Sequence, residues 1–396
     1  MIQSPVFWIV LAASALIFWR LPERFRFTFL SLVSYGYLAW LEPVGATVLI
    51  GWVLLFFFVA PHAMAKEKRG HLILTGLVLV ILSYLAWHKY LPVLWDLYQG
   101  ASVGVTIAAP LGISYFTFKL IHYAIETARG NITDRSLPRF FCYIFLFPIF
   151  TAGPIQRFDR FIANTETTWN RETTIEGITR IIHGLIKVFV IAQLLNPAHL
   201  GNGVPVDANQ LIARFDDLAF WQIWAFLAVT YLFAYMDFSA YSDIAIGASR
   251  LFGFRIMENF NWPILAVNIQ DFWKRWHMTL AAWCQSYVYM PVMARTRTPY
   301  AAVFATFVAM GIWHGAAPGW VMWGLYHASG LALYMTWARY WRKSPKWREL
   351  IKSKARYLGL PLTFAFVTGS YAFSSMDGSF GTSIMVFLAL FGIRIG

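Results

Sequence analysis

Charge is the scarcest commodity in this sequence: Asp, Glu, Lys and Arg together make up 13% of 396 residues. A soluble globular chain carries about a quarter charged residues, so a wholly water-facing surface is excluded. Cysteine is nearly missing. Cys142 and Cys284 are the only two, both in aromatic surroundings, with no CxxC and no Cys/His ligand spacing. That excludes a disulfide framework and a zinc site, and no metal is expected. Long polar stretches are missing too. The longest, Asp159–Glu176 and Ala198–Asp217, are too short to build a core, so the chain reads as one membrane domain over 1–396. Acidic residues number 19 against 32 basic ones, a net charge of +13. The cations fall in short clusters between apolar runs rather than along a basic binding module, so no nucleic-acid partner is expected.

What fills the sequence instead is apolar. Hydrophobic residues account for 59% and the mean hydropathy is +0.55. There are 19 Trp, 19 Tyr and 35 Phe, and amphipathic aromatics collect at bilayer interfaces. A helix needs about 20 mostly apolar residues to cross a bilayer, somewhat fewer when its flanks snorkel. Candidate spans are Pro5–Trp19, Phe27–Leu41, Gly45–Ala60, His71–Trp87, Thr106–Thr127, Phe140–Ile155, Ile178–Leu195, Leu218–Tyr235, Phe238–Phe254, Tyr300–His314, Trp320–Trp337, Leu358–Phe373 and Ile384–Ile393. The expectation is an all-α polytopic membrane protein with roughly 10 to 13 embedded helices. The shorter ones, interrupted by Gly and Pro, would be re-entrant or broken. The first stretch has no basic region before it and no small-residue cleavage site, so it reads as a retained helix.

Cations set the orientation. Arg20, Arg24 and Arg26 follow the first span, and Lys66, Lys68 and Arg69 follow the third. Both loops are basic and share a side, which is therefore the cytoplasm, with the N-terminus outside. The strongest basic run, from Arg339 through Arg342 and Lys343 to Arg356, belongs on the same side. It would contact anionic lipid or dock an acidic partner.

Ionisable groups inside a membrane cost about 2.5–3.5 kcal/mol each on insertion scales, so they mark function. Here they concentrate in three places. The first holds Asp237, Ser239, Tyr241, Ser242 and Asp243. The second runs from Glu258 and Asn259 through Asp271, Lys274 and Arg275 to His277. The third is Trp313-His314-Gly315, followed by His327. If Asp271–Leu280 is helical, Asp271 and Arg275 form an i,i+4 pair. Lys274 then neighbours His277 and disfavours its charged form. His314 ends a short helix, where last-turn carbonyls favour a cation. Two histidines in opposite settings suit acid and base roles. Asp237 and Asp243 could equally bond neighbouring helices through Ser239, Tyr241 and Ser242, and His327 reads as packing. From the residues alone, a transporter with a buried Asp/His path stands level with an enzyme.

The motifs break that tie. Pro110-Leu-Gly112-Ile-Ser-Tyr-Phe-Thr-Phe118, Phe147-Pro-Ile-Phe-Thr-Ala-Gly153-Pro154-Ile-Gln-Arg157, Asp237-Phe-Ser-Ala-Tyr-Ser-Asp243-Ile-Ala-Ile-Gly247, Glu258-Asn-Phe-Asn-Trp-Pro263, Asp271-Phe-Trp-Lys-Arg-Trp-His277-Met-Thr-Leu280 and Gly311-Ile-Trp-His314-Gly315 follow one another in this order. This collinear set, over about Pro110 to Gly330, resembles the membrane-bound O-acyltransferase (MBOAT) family. The likeness is to its bacterial branch, which modifies alginate, teichoic acid and peptidoglycan. The resemblance marks 110–330 as the catalytic core, within a ring of helices pierced by a central tunnel. It implies His314 as the catalytic residue and His277 as the second site residue. Asp271, Arg275, Lys274, Asp237, Asp243, Trp313 and Asn259 stand as supporting residues. It further implies a cytoplasmic thioester donor, acyl-CoA or an acyl carrier protein, with no bound cofactor. The acyl group, acetyl above all, would go to an extracytoplasmic polysaccharide hydroxyl or to a separate periplasmic or surface acyltransferase. D-alanyl transfer to a teichoic acid-like polymer, a transporter and a non-catalytic scaffold are the alternatives.

Two departures bear on donor and partner: Gln285-Ser286 stand where the family carries Arg-Asp, and the loop Met293–Pro299 is short. A thioester is already activated, so the enzyme need only orient a hydroxyl and manage its proton. General base catalysis by His contributes about 10²–10⁴-fold, and a greasy tunnel excludes the water that would hydrolyse the donor. His314 is expected to be the base. His277, supported by Asp271 and Arg275, is expected to place or polarise the thioester carbonyl.

Overall fold

The computed structural model describes residues 2–64, 68–99, 109–196, 199, 201, 203–341, 345–376 and 379–394, the side chains of 96, 97, 99 and 345–356 excepted. Lys66, the start of the stretch at Thr106, Arg342 and Lys343 lie outside the described residues, as do the side chains of Lys346, Lys352 and Arg356. Among the described residues the protein is all helix and turn, with a single isolated bridge pairing Thr165 and Phe254. It divides into two compact units, one of Met1–Leu185 with Tyr241–Glu258, the other of Ile186–Ala240 with Asn259–Gly396.

The first unit begins with α1 (Pro5–Phe18), α2 (Glu23–Leu41), α3 (Pro43–Val59), α4 (Lys68–Lys89) and α5 (Leu91–Gln99). It continues through α6 (Ile113–Ala128), α7 (Leu137–Phe145), α8 (Phe158–Ala163) and α9 (Arg171–Ile186). Proline at the first helical position and a capping carboxylate start α3: Glu42 Oε1 accepts from the Gly45 N–H at 2.8 Å. Gly112, at φ +71°, starts α6, and a Cβ there would strike the Phe150 ring, which accounts for the glycine of that motif. Behind α6, the buried Lys119 donates from Nζ to the carbonyls of Tyr143 and Ile144 at 3.0 and 3.3 Å. It thereby closes the C-terminal end of α7. The 140–155 stretch, read above as a span, is α7, a 3₁₀ turn at Phe147–Ile149 and an irregular segment. Pro148 and Pro154 cannot donate to a helix ladder.

The second unit opens with α10 (Ala192–Leu194) and α11 (Ala208–Ala213), and α12 (Phe220–Arg250) begins in it and ends in the first. The sequence predicts two spans in 218–254, but α12 is one helix of 31 residues. No proline or glycine falls between Tyr235 and Phe238 to break it, so Asp237 sits in a helix interior rather than a loop. The second unit continues with α13 (Ile269–Trp273), α14 (Met278–Cys284), α15 (Met290–Thr296), α16 (Pro299–His314), α17 (Pro318–Trp341), α18 (Pro345–Ser374) and α19 (Phe380–Ala389).

Three helical stretches among the described residues are long and apolar enough to cross a membrane: Pro43–Met64, Lys68–Lys89 and Phe220–Arg250. The shorter apolar helices are α1, α16 and α19. Most of the other expected spans are shorter than predicted, are interrupted, or carry polar groups. Large side chains such as Leu32, Val44, Leu72 and Leu333 stay exposed, as lipid-facing residues of a membrane protein do.

The packing of α16 on α17 positions the site. A Cβ at Gly311 would run into the Trp320 carbonyl, and one at Gly324 into the Phe307 carbonyl. The two helices therefore approach backbone to backbone, the close contact that small residues permit in membranes.

Candidate active site

The site lies in the second unit and starts from a helix that fails to form. The reading of Asp271–Leu280 as continuous helix does not hold. Asn268 caps α13, accepting from the Asp271 N–H at 2.7 Å, but the helix stops at Trp273. His277 then adopts a left-handed backbone, φ +42°, at the start of α14. Trp262 is also left-handed, at φ +48°. Each such non-glycine residue costs on the order of 1–3 kcal/mol, and that strain clusters at functional sites. Lys274 is therefore not stacked a turn below His277. It is exposed and borders a cavity of about 340 Å³ that Gln270, Gln285 and Tyr289 also line.

The support of His277 is Asn259, not the Asp271–Arg275 pair. Asn259 is fully buried, and its Oδ1 lies 3.0 Å from His277 Nδ1 and accepts the Thr279 hydroxyl at 2.8 Å. An oxygen that already takes the Thr279 hydroxyl, and the Thr279 N–H at 3.4 Å, receives a third proton from Nδ1–H, which leaves Nε2 with the lone pair. That Nε2 is buried and makes no hydrogen bond. His277 lies outside the three spanning stretches, and burial, with the neighbouring His314 second, lowers its pKa to about 3. With Nδ1–H held by Asn259, the neutral imidazole presents an acceptor at Nε2.

Asp271 and Arg275 do meet as an i,i+4 pair, at 2.8 Å. Arg275 Nη1 also donates to the Asn261 carbonyl at 3.2 Å, while the Asn261 N–H donates to the Arg275 carbonyl at 2.9 Å. Together they clip Asn261 to Arg275 and so frame the turn that carries Asn259 and His277.

His314 ends α16, as the sequence predicts, just before Gly315. Its ring stacks on Trp320 at 4.7 Å and 15° and meets Trp323 edge-on at 5.2 Å. A Cβ at Gly315 would strike the Trp320 indole, so the glycine of the Trp-His-Gly motif is what lets that indole cover His314. Trp313 joins the two histidines, its ring 4.7 Å from that of His314 and 6.4 Å from that of His277. His314 opens on a cavity of about 200 Å³ walled by Trp276, Trp320 and Trp323, with Ser370, Ser374 and His327 on its lining.

The remaining predicted residues stand elsewhere. Asp237 lies on an exposed face of α12. Asp243 belongs to the first unit, where it is buried and accepts from Arg180 Nε at 2.6 Å, while Arg180 Nη2 reaches Glu258 at 2.5 Å. Tyr241 meets the Thr151 hydroxyl at 2.6 Å in the same unit. The structure also brings His327 to the lining of the His314 cavity. Its signal was spacing: Trp320, Trp323 and His327 fall at i, i+3 and i+7, one stripe of a helix.

The model of the membrane-bound O-acyltransferase family matches residues 29–371. Named relatives agree with it. The chain is 33% identical over 281 residues to a teichoic acid D-alanyltransferase of Bacillus subtilis, covering 67% of this chain and 68% of that protein. It is 33% identical over 334 residues to a probable alginate O-acetylase of Azotobacter vinelandii, covering 79% and 64%. It is 29% identical over 355 residues to a peptidoglycan O-acetyltransferase of Helicobacter pylori, covering 79% and 65%. The match thus spans slightly under two thirds of the length of two of these three relatives.

Proposed function

Because this chain belongs to the membrane-bound O-acyltransferase family, we propose that it moves an acyl group, acetyl in the first place, from a cytoplasmic thioester. The receiver is a hydroxyl of an extracytoplasmic cell-envelope polysaccharide or of a partner acyltransferase. The observation that carries the proposal is the Trp-walled cavity on His314, at the end of α16 and within the family match. The hydroxyl oxygen attacks the thioester carbonyl carbon while His314 takes its proton. The C–S bond then breaks, and the proton passes from His314 to the departing thiolate. His277, neutral and with its buried Nε2 making no hydrogen bond, orients a hydroxyl of the acceptor by accepting its hydrogen bond. The indoles of Trp276, Trp320 and Trp323 keep out the water that would hydrolyse the donor.

Acetyl is preferred to D-alanyl because the described residues lining this cavity include no carboxylate. A D-alanyl ammonium would be desolvated there without a counter-ion, an expensive burial. D-alanyl transfer stays as the second reading, supported by the likeness to the Bacillus protein. A proton relay through Asp237 and Asp243 has less support, since Asp243 is committed to Arg180. We place the protein in the cytoplasmic membrane as a multi-pass chain, with the basic run from Arg339 on the inner face.

The test is turnover. Purified protein in lipid nanodiscs should consume acetyl-CoA or acetyl-loaded carrier protein and pass label to a polysaccharide or partner hydroxyl. His314→Ala should abolish this while the protein stays inserted and monodisperse. Wild-type protein that leaves every thioester intact would exclude an enzyme and favour a transporter or scaffold.

A further inference from the structure

An acyl transfer needs three things at one point: a base for the hydroxyl, a shield against water, and a donor for the oxygen that becomes negative in the tetrahedral intermediate. His314 and the indoles supply the first two. His277 cannot supply the third, because its Nδ1 proton is held by Asn259 and its Nε2 carries a lone pair. Among the described residues, the lining of the His314 cavity contains one further imidazole, His327.

His327 is 1% exposed, on the cavity-facing stripe of α17. Trp323 bridges the two histidines, its ring 5.2 Å from His314 and 4.7 Å from His327. Phe272 and Phe307 lie nearly parallel to the His327 ring, at 6.4 and 6.1 Å, and Trp273 meets it edge-on at 5.2 Å. This aromatic frame fixes the plane of the imidazole and leaves it little rotational freedom. Yet its Nδ1 is buried without any hydrogen-bond partner. A buried polar atom left unsatisfied is costly, and a well-packed apolar ring of the same shape would avoid that cost. An imidazole kept there, at the edge of a reactive cavity, fits a group that finds its partner when substrate arrives.

On the acyltransferase reading, we infer that His327 is a catalytic residue that donates a hydrogen bond to the thioester carbonyl oxygen opposite His314. As the hydroxyl oxygen adds and the carbonyl π pair moves onto oxygen, the His327 N–H holds the oxyanion. The pair returns as the C–S bond breaks. No proton leaves His327 at any step, so its part is separate from the proton transfer at His314. The donor acts in the transition state more than on bound substrate, so its loss falls on kcat rather than on KM.

Three variants of the full chain in nanodiscs, assayed with acetyl thioester, test this. His327→Phe keeps the ring and removes both nitrogens. It is expected to lose about a hundredfold in kcat, in line with removal of one oxyanion donor, with KM little changed and a melting temperature at or above wild type. His327→Asn and His327→Gln restore an amide N–H and should recover a large part of the lost kcat. A His327→Phe enzyme with wild-type kcat overturns the inference. So does one that melts well below wild type, because the ring nitrogens would then be satisfied within the fold. If the unaltered protein turns over no thioester, the acyltransferase reading itself falls. If it does turn over and His327→Phe matches it, only the role of His327 falls.

Discussion

His277 Nδ1 donates to Asn259 Oδ1 over 3.0 Å, and this one bond decides which nitrogen of the imidazole carries the proton. Asn259 is fully buried and also takes the Thr279 hydroxyl, so deleting its amide strands two buried donors at once. Asn259→Ala should cost about 1–3 kcal/mol of stability. It should also lower acyl transfer at least tenfold, by freeing His277 to turn. Thermal unfolding and initial rates on the same preparation check both numbers. A stable variant with undiminished transfer would show that the orientation of His277 is of no consequence.

The pH dependence of stability follows from the same environment. The folded pKa of His277, about 3, lies below the ordinary value of about 6.5. The unfolded chain therefore takes up a proton below about pH 6.5 that the folded protein refuses. Stability should fall as pH drops from 6.5 toward 3, by about 1.4 kcal/mol per unit from this residue alone. Comparing melting temperatures between pH 7.5 and 5 in wild type and His277→Gln isolates that slope. Identical slopes would remove His277 from the account.

Much of this was legible in the residues. His314 at a helix end beside Gly315, the Asp271–Arg275 pair and the apolar helices all follow from spacing and helix-ending chemistry. The turn at His277 did not, because nothing local in Trp273-Lys-Arg-Trp-His277 forbids a helix. The break is made by long-range bonds, Asn259 to His277 and Asn261 to Arg275, which override local propensity. The fused α12 was missed for the opposite reason. Asp237 reads as a boundary, yet nothing at that position stops a helix.

The basic run from Arg339 to Arg356 should bring an acidic donor carrier to the inner face. Substituting Glu at Lys343, Lys346 and Lys352 should slow carrier-dependent transfer several-fold at low ionic strength, mainly through KM. Raising salt should slow the unaltered protein toward the variant, because surface charges are screened beyond about 10 Å at 0.1 M. Transfer from free acetyl-CoA should suffer less. An unchanged rate with carrier at low salt would leave the run as an orientation signal only. Impermeant labelling of a cysteine placed at Lys352 in intact cells gives the independent check. Ready labelling from outside would reverse the orientation.

The last prediction concerns Gly315, a residue with no chemistry of its own. Its missing Cβ leaves the space in which the Trp320 indole lies, and that indole is stacked on His314. Gly315 has an extended backbone, φ −164° and ψ 160°, which any residue adopts, so an added methyl brings no backbone strain. Its whole effect must pass through Trp320. Gly315→Ala should therefore leave the fold inserted but push the indole off the histidine, opening the cavity to water and lowering transfer about tenfold or more. Thioester hydrolysis should rise relative to transfer, because the lost function is shielding. Trimming the indole in the same chain, Gly315→Ala with Trp320→Phe, makes room for the methyl and should recover part of the rate. The double variant should then lose less than the sum of the two single losses, as coupled neighbours do. Strictly additive losses would mean that the glycine serves the backbone and that the stacked indole does not govern His314.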